Sequence, residues 1–221
     1  RDEGADARQA GADHYRAPHK IMTQTLAGLF DAAVSAAPDD AALLYFDGRL
    51  SYAELDRESD AFAAALQDEG LKVGDRILLC LQNGPGFIVA MLAAAKAGII
   101  IVPINPMYRQ RELAGLIADC EPAAIVCHDD FYLDVVPKVD AAPLLRYVVR
   151  AQDRQSQNPP CLPAARALPG HAVLFDDIVR ANMGRRPRLH ATDPSDPLLL
   201  VYTSGTTGQP KGAIISHANL C

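Results

Sequence analysis

The residues best suited to chemistry lie near the end of the 221-residue sequence, in the run from Tyr202 to Gly212, here called the signature segment. Its glycines permit positive φ angles, so that consecutive backbone amides can point inward toward an anion. Its hydroxyl groups add donors, and its lysine adds a mobile positive charge. A polyphosphate needs such fixed donors in place of its hydration shell, so the segment predicts a polyphosphate site. The candidate ligands are Thr203, Ser204, Gly205, Thr206, Thr207, Gly208 and Lys211.

A plain surface hairpin loop is the alternative interpretation of this segment, because Gly, Ser, Thr and Pro are also common turn residues. The combined glycines, four hydroxyls and Pro-Lys-Gly ending favour binding. The common mononucleotide-binding pattern is not matched, since four residues after Gly205 the chain continues as Pro210, Lys211 and Gly212 rather than Gly-Lys-Ser/Thr. No Gly-x-Gly-x-x-Gly follows an early strand, so a Rossmann-type dinucleotide site is not predicted either.

The overall composition argues against several other classes of protein. A net charge of −6 is unlike the basic footprint of a nucleic-acid-binding protein. Five cysteines without a C-x-x-C pair, and six scattered histidines, indicate neither a disulfide framework nor a metal site, and a reducing, cytoplasmic setting fits best. The apolar stretch 87–104 is interrupted by Lys96, Gly98 and Pro103, so we expect a helix and then a strand, not a membrane span.

Apolar strands alternate with amphipathic helices along most of the chain. We predict strands at 42–46, 77–81, 99–102, 123–127, 145–149, 198–202 and 212–216, and helices at 26–34, 51–70, 87–97, 109–118, 130–136, 174–182 and from 217 onward. Continuous apolar strands between helices are typical of parallel strands buried on both faces. The predicted fold class is therefore α/β, with a doubly wound, mostly parallel sheet, flanking helices and a final β-loop-β unit.

Changes in composition suggest a division of the chain. The predicted parts are a polar N-terminal tail (1–24), an α/β subdomain (25–150), a connecting segment rich in Pro, Gln and Arg with one helix (151–196), and a β-loop-β phosphate-binding unit that starts a second subdomain (197–221). The basic cluster of the connecting segment, Arg185, Arg186 and Arg188, is interpreted as part of a solvated linker.

The signature segment resembles that of the adenylate-forming superfamily, which contains acyl-CoA synthetases, luciferases and the adenylation domains of peptide synthetases. The resemblance extends over roughly 25–221 through the segments 51–55, 73–76, 96–98, 102–106, 111–113 and 216–220. It implies that Thr203 to Lys211 grip the β- and γ-phosphates of ATP while Mg²⁺ bridges phosphate oxygens. Thr206 or Thr207 would then lie near the Mg²⁺; no other metal ligand is predicted.

Similarity to this family also implies a two-step reaction, in which a carboxylate attacks the α-phosphate of ATP and a thiol then displaces AMP from the acyl-adenylate. The runs Gly205-Thr206-Thr207-Gly208 and Asn105-Pro106-Met107-Tyr108 look more like those of acyl-CoA synthetases. We therefore expect part of a carboxylic acid CoA ligase acting on a fatty or other acyl group. A carrier-loading adenylation domain and a non-catalytic phosphate-loop module are the alternatives.

The resemblance also implies which parts of an active site these 221 residues contain. In the family, the adenine and acyl pockets, the acidic ribose ligand and a catalytic lysine follow the loop. We therefore expect no complete catalytic set and no CoA site in these 221 residues, and no activity from them alone. The expected partners are a small carboxylic acid, ATP and CoA, without nucleic acid, and the protein could form a homodimer. His217 and Asn219 could approach the substrate or simply cap the following helix.

Overall fold

The computed structural model describes residues 24–139, 145–149, 172–203 and 211–221. Its strands are β1 (Ala41–Tyr45), β2 (Gly48–Ser51), β3 (Arg76–Cys80), β4 (Ile100–Pro103), β5 (Ala124–His128), β6 (Leu145–Val149), β7 (Ala172–Leu174), β8 (Pro197–Thr203) and β9 (Lys211–Ser216). Its α-helices are α1 (Leu26–Ala36), α2 (Tyr52–Asp68), α3 (Pro85–Ala97), α4 (Gln110–Cys120), α5 (Asp129–Asp134), α6 (Phe175–Ala181) and α7 (His217–Leu220), with a 3₁₀ turn at Val136–Lys138.

A seven-stranded sheet in the order β7-β6-β5-β3-β4-β8-β9 forms the centre of the molecule. Neighbouring strands are parallel except for β8 and β9, which are antiparallel. Strand β4 lies on one side of β3 and β5 lies on the other side. The direction in which strands are added to the sheet therefore reverses between β3 and β5. The predicted α/β class and doubly wound, mostly parallel sheet are confirmed. Strands β1 and β2 form a separate antiparallel hairpin.

Both faces of the sheet are buried at its central strands, whereas β9 is largely exposed. Along β3, Ile77 and Leu79 pack into a cluster with residues of α2, α3 and α6, whereas Leu78 and Cys80 pack into a second cluster with residues of α4 and α5. This alternation is the period-two pattern of a strand covered by helices on each side. It explains why the sequence of β3 is a continuous apolar run.

Local signals in the sequence set several element ends as predicted. The Ser51 hydroxyl accepts from the backbone N–H of Glu54, and the Glu54 carboxylate accepts from the N–H of Ser51, which completes a capping box at the start of α2. Gly98 ends α3 with a φ of 70°, and a Cβ at this position would lie 2.5 Å from Nε2 of His190. A glycine is therefore required at Gly98 by the backbone and by packing.

Two strands, β2 and β7, are absent from the sequence-based prediction. β2 has four residues and runs directly into the cap of α2, and β7 has three residues. Strands this short carry too few positions to show a period-two pattern, and only their pairing with β1 and β6 reveals them.

The basic cluster before β8 is exposed to solvent and also contacts helix α2. The guanidinium of Arg185 lies 2.6 Å from the carboxylate of Asp68. The backbone N–H of Arg188 donates to the Gln67 side chain at 2.7 Å, and its guanidinium donates to the Gln67 carbonyl at 3.0 Å. The three arginines are exposed, as expected for a solvated segment, but the sequence does not show that α2 presents acceptors for them. These contacts fix the approach of the chain to β8.

Strands β8 and β9 belong to the same sheet as β3 to β6. The start of a second subdomain at residue 197 remains a prediction. Among the described helices, none combines the length and apolar composition that crossing a membrane requires.

Candidate nucleotide phosphate site

The signature segment begins at the carboxyl edge of the parallel strands. β8 runs parallel to β4 with Ile101 opposite Leu199, so the end of β4 at Pro103 is level with Val201. β8 continues to Thr203, which carries the chain about 7 Å beyond the end of β4 at roughly 3.3 Å per residue. Open α/β sheets bind ligands outside this edge. The segment therefore starts where a ligand site is expected from the topology.

The two ends of the loop are held together by the β8–β9 ladder. Thr203 pairs with Lys211, and Tyr202 pairs with Gly212. Directly opposed residues in an antiparallel pair share one face, so the Thr203 hydroxyl and the Lys211 ammonium lie on the same face, and both residues are exposed. Lys211 forms no ion pair with any other described residue. This arrangement leaves a neutral donor and a cation side by side at the base of the loop.

Five of the predicted phosphate ligands, Ser204, Gly205, Thr206, Thr207 and Gly208, lie outside the described residues. Their roles remain predictions, as does the proximity of Thr206 or Thr207 to Mg²⁺. Within the described part of the chain, no three His, Cys, Asp or Glu side chains are grouped so as to hold a metal ion.

The opposite face of β8 is attached to helix α4. Tyr202, the neighbour of Thr203, packs its ring against the cluster that covers this face of the sheet, and its hydroxyl donates to the carboxylate of Asp119. Burial and the bond to Asp119 both raise the pKa of Tyr202, so the phenol remains a protonated donor. The base of the loop is thereby fixed to an element 83 residues away in sequence.

Sequence reasoning missed Asp119, although a signal was present. Asp119 lies in the last turn of α4, where the helix dipole disfavours a negative charge. A donor beside this carboxylate offsets the small unfavourable effect, and the Tyr202 hydroxyl supplies it.

Gly212 leaves room for side chains of the neighbouring strand β8. A Cβ at Gly212 would lie 2.8 Å from Cδ1 of Leu200 and 3.3 Å from Cζ of Tyr202. Any larger residue would displace one of these side chains from the face of β8. The final glycine of the signature segment thus makes room for the ring of Tyr202.

His217 and Asn219 lie at the other end of β9, whose six residues span about 20 Å. Nδ1 of His217 accepts from the backbone N–H of Leu26 at 3.1 Å, and burial lowers the pKa of this imidazole. Oδ1 of Asn219 accepts from the N–H of Ser216 at 3.1 Å. Both residues thus make contacts within the fold. That of Asn219 caps helix α7, which is one of the two roles considered from the sequence.

The upstream landmarks also shape the chain near the site. In the connection from β4 to α4, Oδ1 of Asn105 accepts from the N–H of Met107 at 2.9 Å. The carboxylate of Glu112 accepts from the N–H of Arg109 at 3.0 Å, and backbone hydrogen bonds lower the pKa of Glu112. Leu113 is fully buried. These residues set the start of α4, the helix that carries Asp119.

Comparison with known proteins identifies the family. The family model described as "AMP-binding enzyme" matches residues 30–221. The chain belongs to this family. This AMP-binding chain is 31% identical over 198 residues to surfactin synthase subunit 3 of Bacillus subtilis (strain 168), covering 90% of this chain and 13% of that protein. It is also 31% identical over 217 residues to the mitochondrial medium-chain acyl-CoA ligase ACSF2 of Bos taurus, covering 90% of this chain and 34% of that protein.

A solved structure shares the fold of this AMP-binding chain. The anthranilate CoA ligase AuaEII in complex with anthranoyl-AMP matches with a TM-score of 0.73 at 19% identity, over 88% of this chain and 35% of that one. The resemblance to adenylate-forming enzymes is confirmed by the family match. The chain spans about a third or less of the length of these three proteins.

Proposed function

We propose that the chain is the N-terminal portion of an ATP-dependent ligase that joins a carboxylic acid, fatty or otherwise, to coenzyme A. The observation that carries this proposal is the placement of the Thr203 hydroxyl and the Lys211 ammonium on one face, at the two ends of the loop. A donor and a cation at the carboxyl edge of the sheet suit the polyphosphate of ATP, and family membership supports ATP as the nucleotide.

In the proposed reaction, a carboxylate oxygen attacks the α-phosphorus of ATP, giving an acyl-adenylate and releasing pyrophosphate. The thiol of CoA then attacks the acyl carbonyl carbon, and AMP leaves as the thioester forms. Lys211 and Thr203 would hold the departing pyrophosphate by charge and hydrogen bonds, while Mg²⁺ would neutralise phosphate charge beside Thr206 or Thr207. Neither step needs a nucleophile from the protein, so the chain contributes through positioning and electrostatic stabilisation.

An adenylation domain that loads a carrier protein is the second candidate. It is favoured by the occurrence of both acyl-CoA ligases and peptide-synthetase adenylation domains among the relatives, and the chain is as identical to surfactin synthase subunit 3 as to the acyl-CoA ligase of Bos taurus. The two candidates share the adenylate-forming step and differ in the thiol that accepts the acyl group. A non-catalytic phosphate-loop module, the third alternative, would lack both steps.

The test is pyrophosphate release by the full-length protein, measured over a panel of carboxylic acids with and without CoA. A CoA ligase should release pyrophosphate continuously with its acid only when CoA is present, and mass spectrometry should detect the acyl-CoA. Continuous turnover that requires a phosphopantetheinylated carrier protein instead of CoA would favour the second candidate. The absence of acid-dependent pyrophosphate release under every condition would contradict both.

A further inference from the structure

A cavity of about 400 Å³ lies at the carboxyl ends of β3 and β5, where the winding of the sheet reverses. It is bounded by the β1–β2 hairpin, by the connection from β3 to α3, and by α2 and α6. None of its lining residues comes from β4, β8 or β9, so it is separate from the signature segment. Crevices at such reversal points are preferred ligand sites in open α/β sheets.

The walls of this cavity, here called the reversal-point cavity, are largely apolar and aromatic. Tyr45 of the hairpin, Phe87 of α3 and Phe175 of α6 contribute rings, and Leu81 and Val179 contribute aliphatic surface. The volume falls within the range of about 300–1,000 Å³ that is typical of pockets for small organic molecules. The cavity is therefore suited to a ligand with an apolar body.

One acidic side chain in the cavity wall lacks an ion pair within the described part of the chain, although the charge of the neighbouring Arg57 acts on it. Glu58 of α2 is half-buried and forms no hydrogen bond or ion pair with another described residue. Burial and the nearby carboxylate of Asp176 raise the pKa of Glu58. Removing this carboxyl group from water without a partner costs free energy, which a cationic ligand group would recover.

The two arginines of the wall each contact an acceptor other than Glu58. The guanidinium of Arg49 donates to the backbone carbonyl of Asp39, and that of Arg180 lies 2.8 Å from the carboxylate of Asp177. An anionic ligand would have to compete with these contacts and approach Glu58. The charge pattern favours a cation over an anion.

We propose that the reversal-point cavity is a binding site for a small organic ammonium ion, with the amine beside Glu58 and Asp176 and the apolar body against Tyr45, Phe87 and Phe175. Ammonium groups are attracted both to carboxylates and to the faces of aromatic rings. The site uses no residue of the signature segment, and its occupation does not depend on the reaction proposed for that segment.

Calorimetric titration of the chain with three probes of similar size tests the charge preference: 2-phenylethylamine, 3-phenylpropionate and 2-phenylethanol. The amine should bind at least about tenfold more tightly than the acid or the alcohol, because a charge-assisted hydrogen bond adds to the apolar contact. Glu58→Gln should weaken this preference, because Asp176 alone then supplies a carboxylate to the amine. Glu69→Gln, which changes an exposed acid just beyond the end of the same helix, should leave it intact.

A second variant locates the bound probe. Gly84 has an extended backbone with φ 173°, and a Cβ there would lie 3.4 Å from Cζ of Tyr45, so Gly84→Leu places a side chain at the cavity wall without backbone strain. Amine binding should fall by at least about tenfold in this variant, while circular dichroism and the melting temperature show that the fold is retained. Equal affinity for the three probes, no effect of Glu58→Gln, or undiminished binding to Gly84→Leu would each overturn the proposal, as would no saturable amine binding at all.

Discussion

Lys211 is the described residue whose charge bears most directly on the proposed reaction. It is exposed, lies opposite Thr203 and has no ion pair with another described residue. A lysine in this state keeps its three donors available and can follow phosphate oxygens as they move. Its contribution should therefore appear in steps that involve ATP and pyrophosphate.

In the full-length protein, Lys211→Ala should raise the KM for ATP and slow the adenylate-forming step. A charge-assisted hydrogen bond contributes about 1.5–3 kcal/mol, so the loss in kcat/KM should be roughly 10- to 150-fold. Pyrophosphate release at varied ATP concentration measures it. The matched control is Lys72→Ala, which removes an exposed lysine at the amino-terminal end of β3, on the side of the sheet away from the loop. This variant should behave as the wild type. Unchanged ATP kinetics in Lys211→Ala would remove this residue from the proposed role.

At the scale of elements, helices α2 and α3 are joined by one buried ionic contact. Nζ of Lys96 on α3 lies 2.7 Å from the carboxylates of both Asp56 and Asp60 and 2.8 Å from the hydroxyl of Ser59, all on α2. The Lys96 side chain is only 7% exposed. Burial raises the pKa of Asp60, and the ammonium of Lys96 opposes that shift. The buried charges of each helix are thus neutralised by side chains of the other helix.

Lys96→Met should destabilise the fold strongly, because it leaves Asp56 without its cation and leaves Asp60 only the exposed guanidinium of Arg186, 3.8 Å away. Removing one partner of a buried ion pair typically costs about 3–5 kcal/mol. Urea unfolding of the chain gives the free energy of unfolding directly. The control Lys138→Met, at an exposed lysine, should change the free energy of unfolding by less than about 0.5 kcal/mol. If the free energy of unfolding fell by the same small amount in both variants, the ionic contact would not stabilise the packing of α2 on α3.

At the scale of the whole molecule, one histidine connects the beginning of the described chain to its end. His217 follows β9, is 2% exposed and accepts from the first residue of α1 through Nδ1. Burial lowers its pKa, the nearby His190 lowers it further, and Asp196 opposes both effects. The imidazole is therefore neutral in the folded state, and protonation would remove the acceptor for Leu26.

This buried imidazole should make stability fall as the pH drops below the unfolded-state pKa of 6.5. Below that value the unfolded chain takes up a proton that the folded chain does not, and each such histidine contributes at most about 1.4 kcal/mol per pH unit. His217→Asn retains an acceptor but does not titrate. The loss of unfolding free energy from pH 7.5 to pH 5.5 should be about 1 kcal/mol smaller in this variant than in the wild type. If the free energy of unfolding of the wild type and of His217→Asn depended on pH in the same way, the buried imidazole would not be the cause of the loss.

Features that depend on neighbouring residues could be predicted from the amino-acid sequence. The apolar strands between amphipathic helices, the capping box of Ser51 and Glu54, and the glycine at the end of α3 were predictable because hydrogen bonding and backbone preference act within a few residues. The family was recognisable for a related reason, since the signature segment is continuous in sequence.

Contacts between residues distant in sequence became visible only in the folded chain. The bond between Tyr202 and Asp119, the binding of the basic cluster to α2 and the reversal-point cavity all depend on strand order and on how helices cover the sheet. Sequence periodicity shows which face of an element is apolar but not which element covers it, because many strand orders bury the same surface. The common face of Thr203 and Lys211 likewise follows from the register of β8 and β9, which is set by packing along the whole ladder.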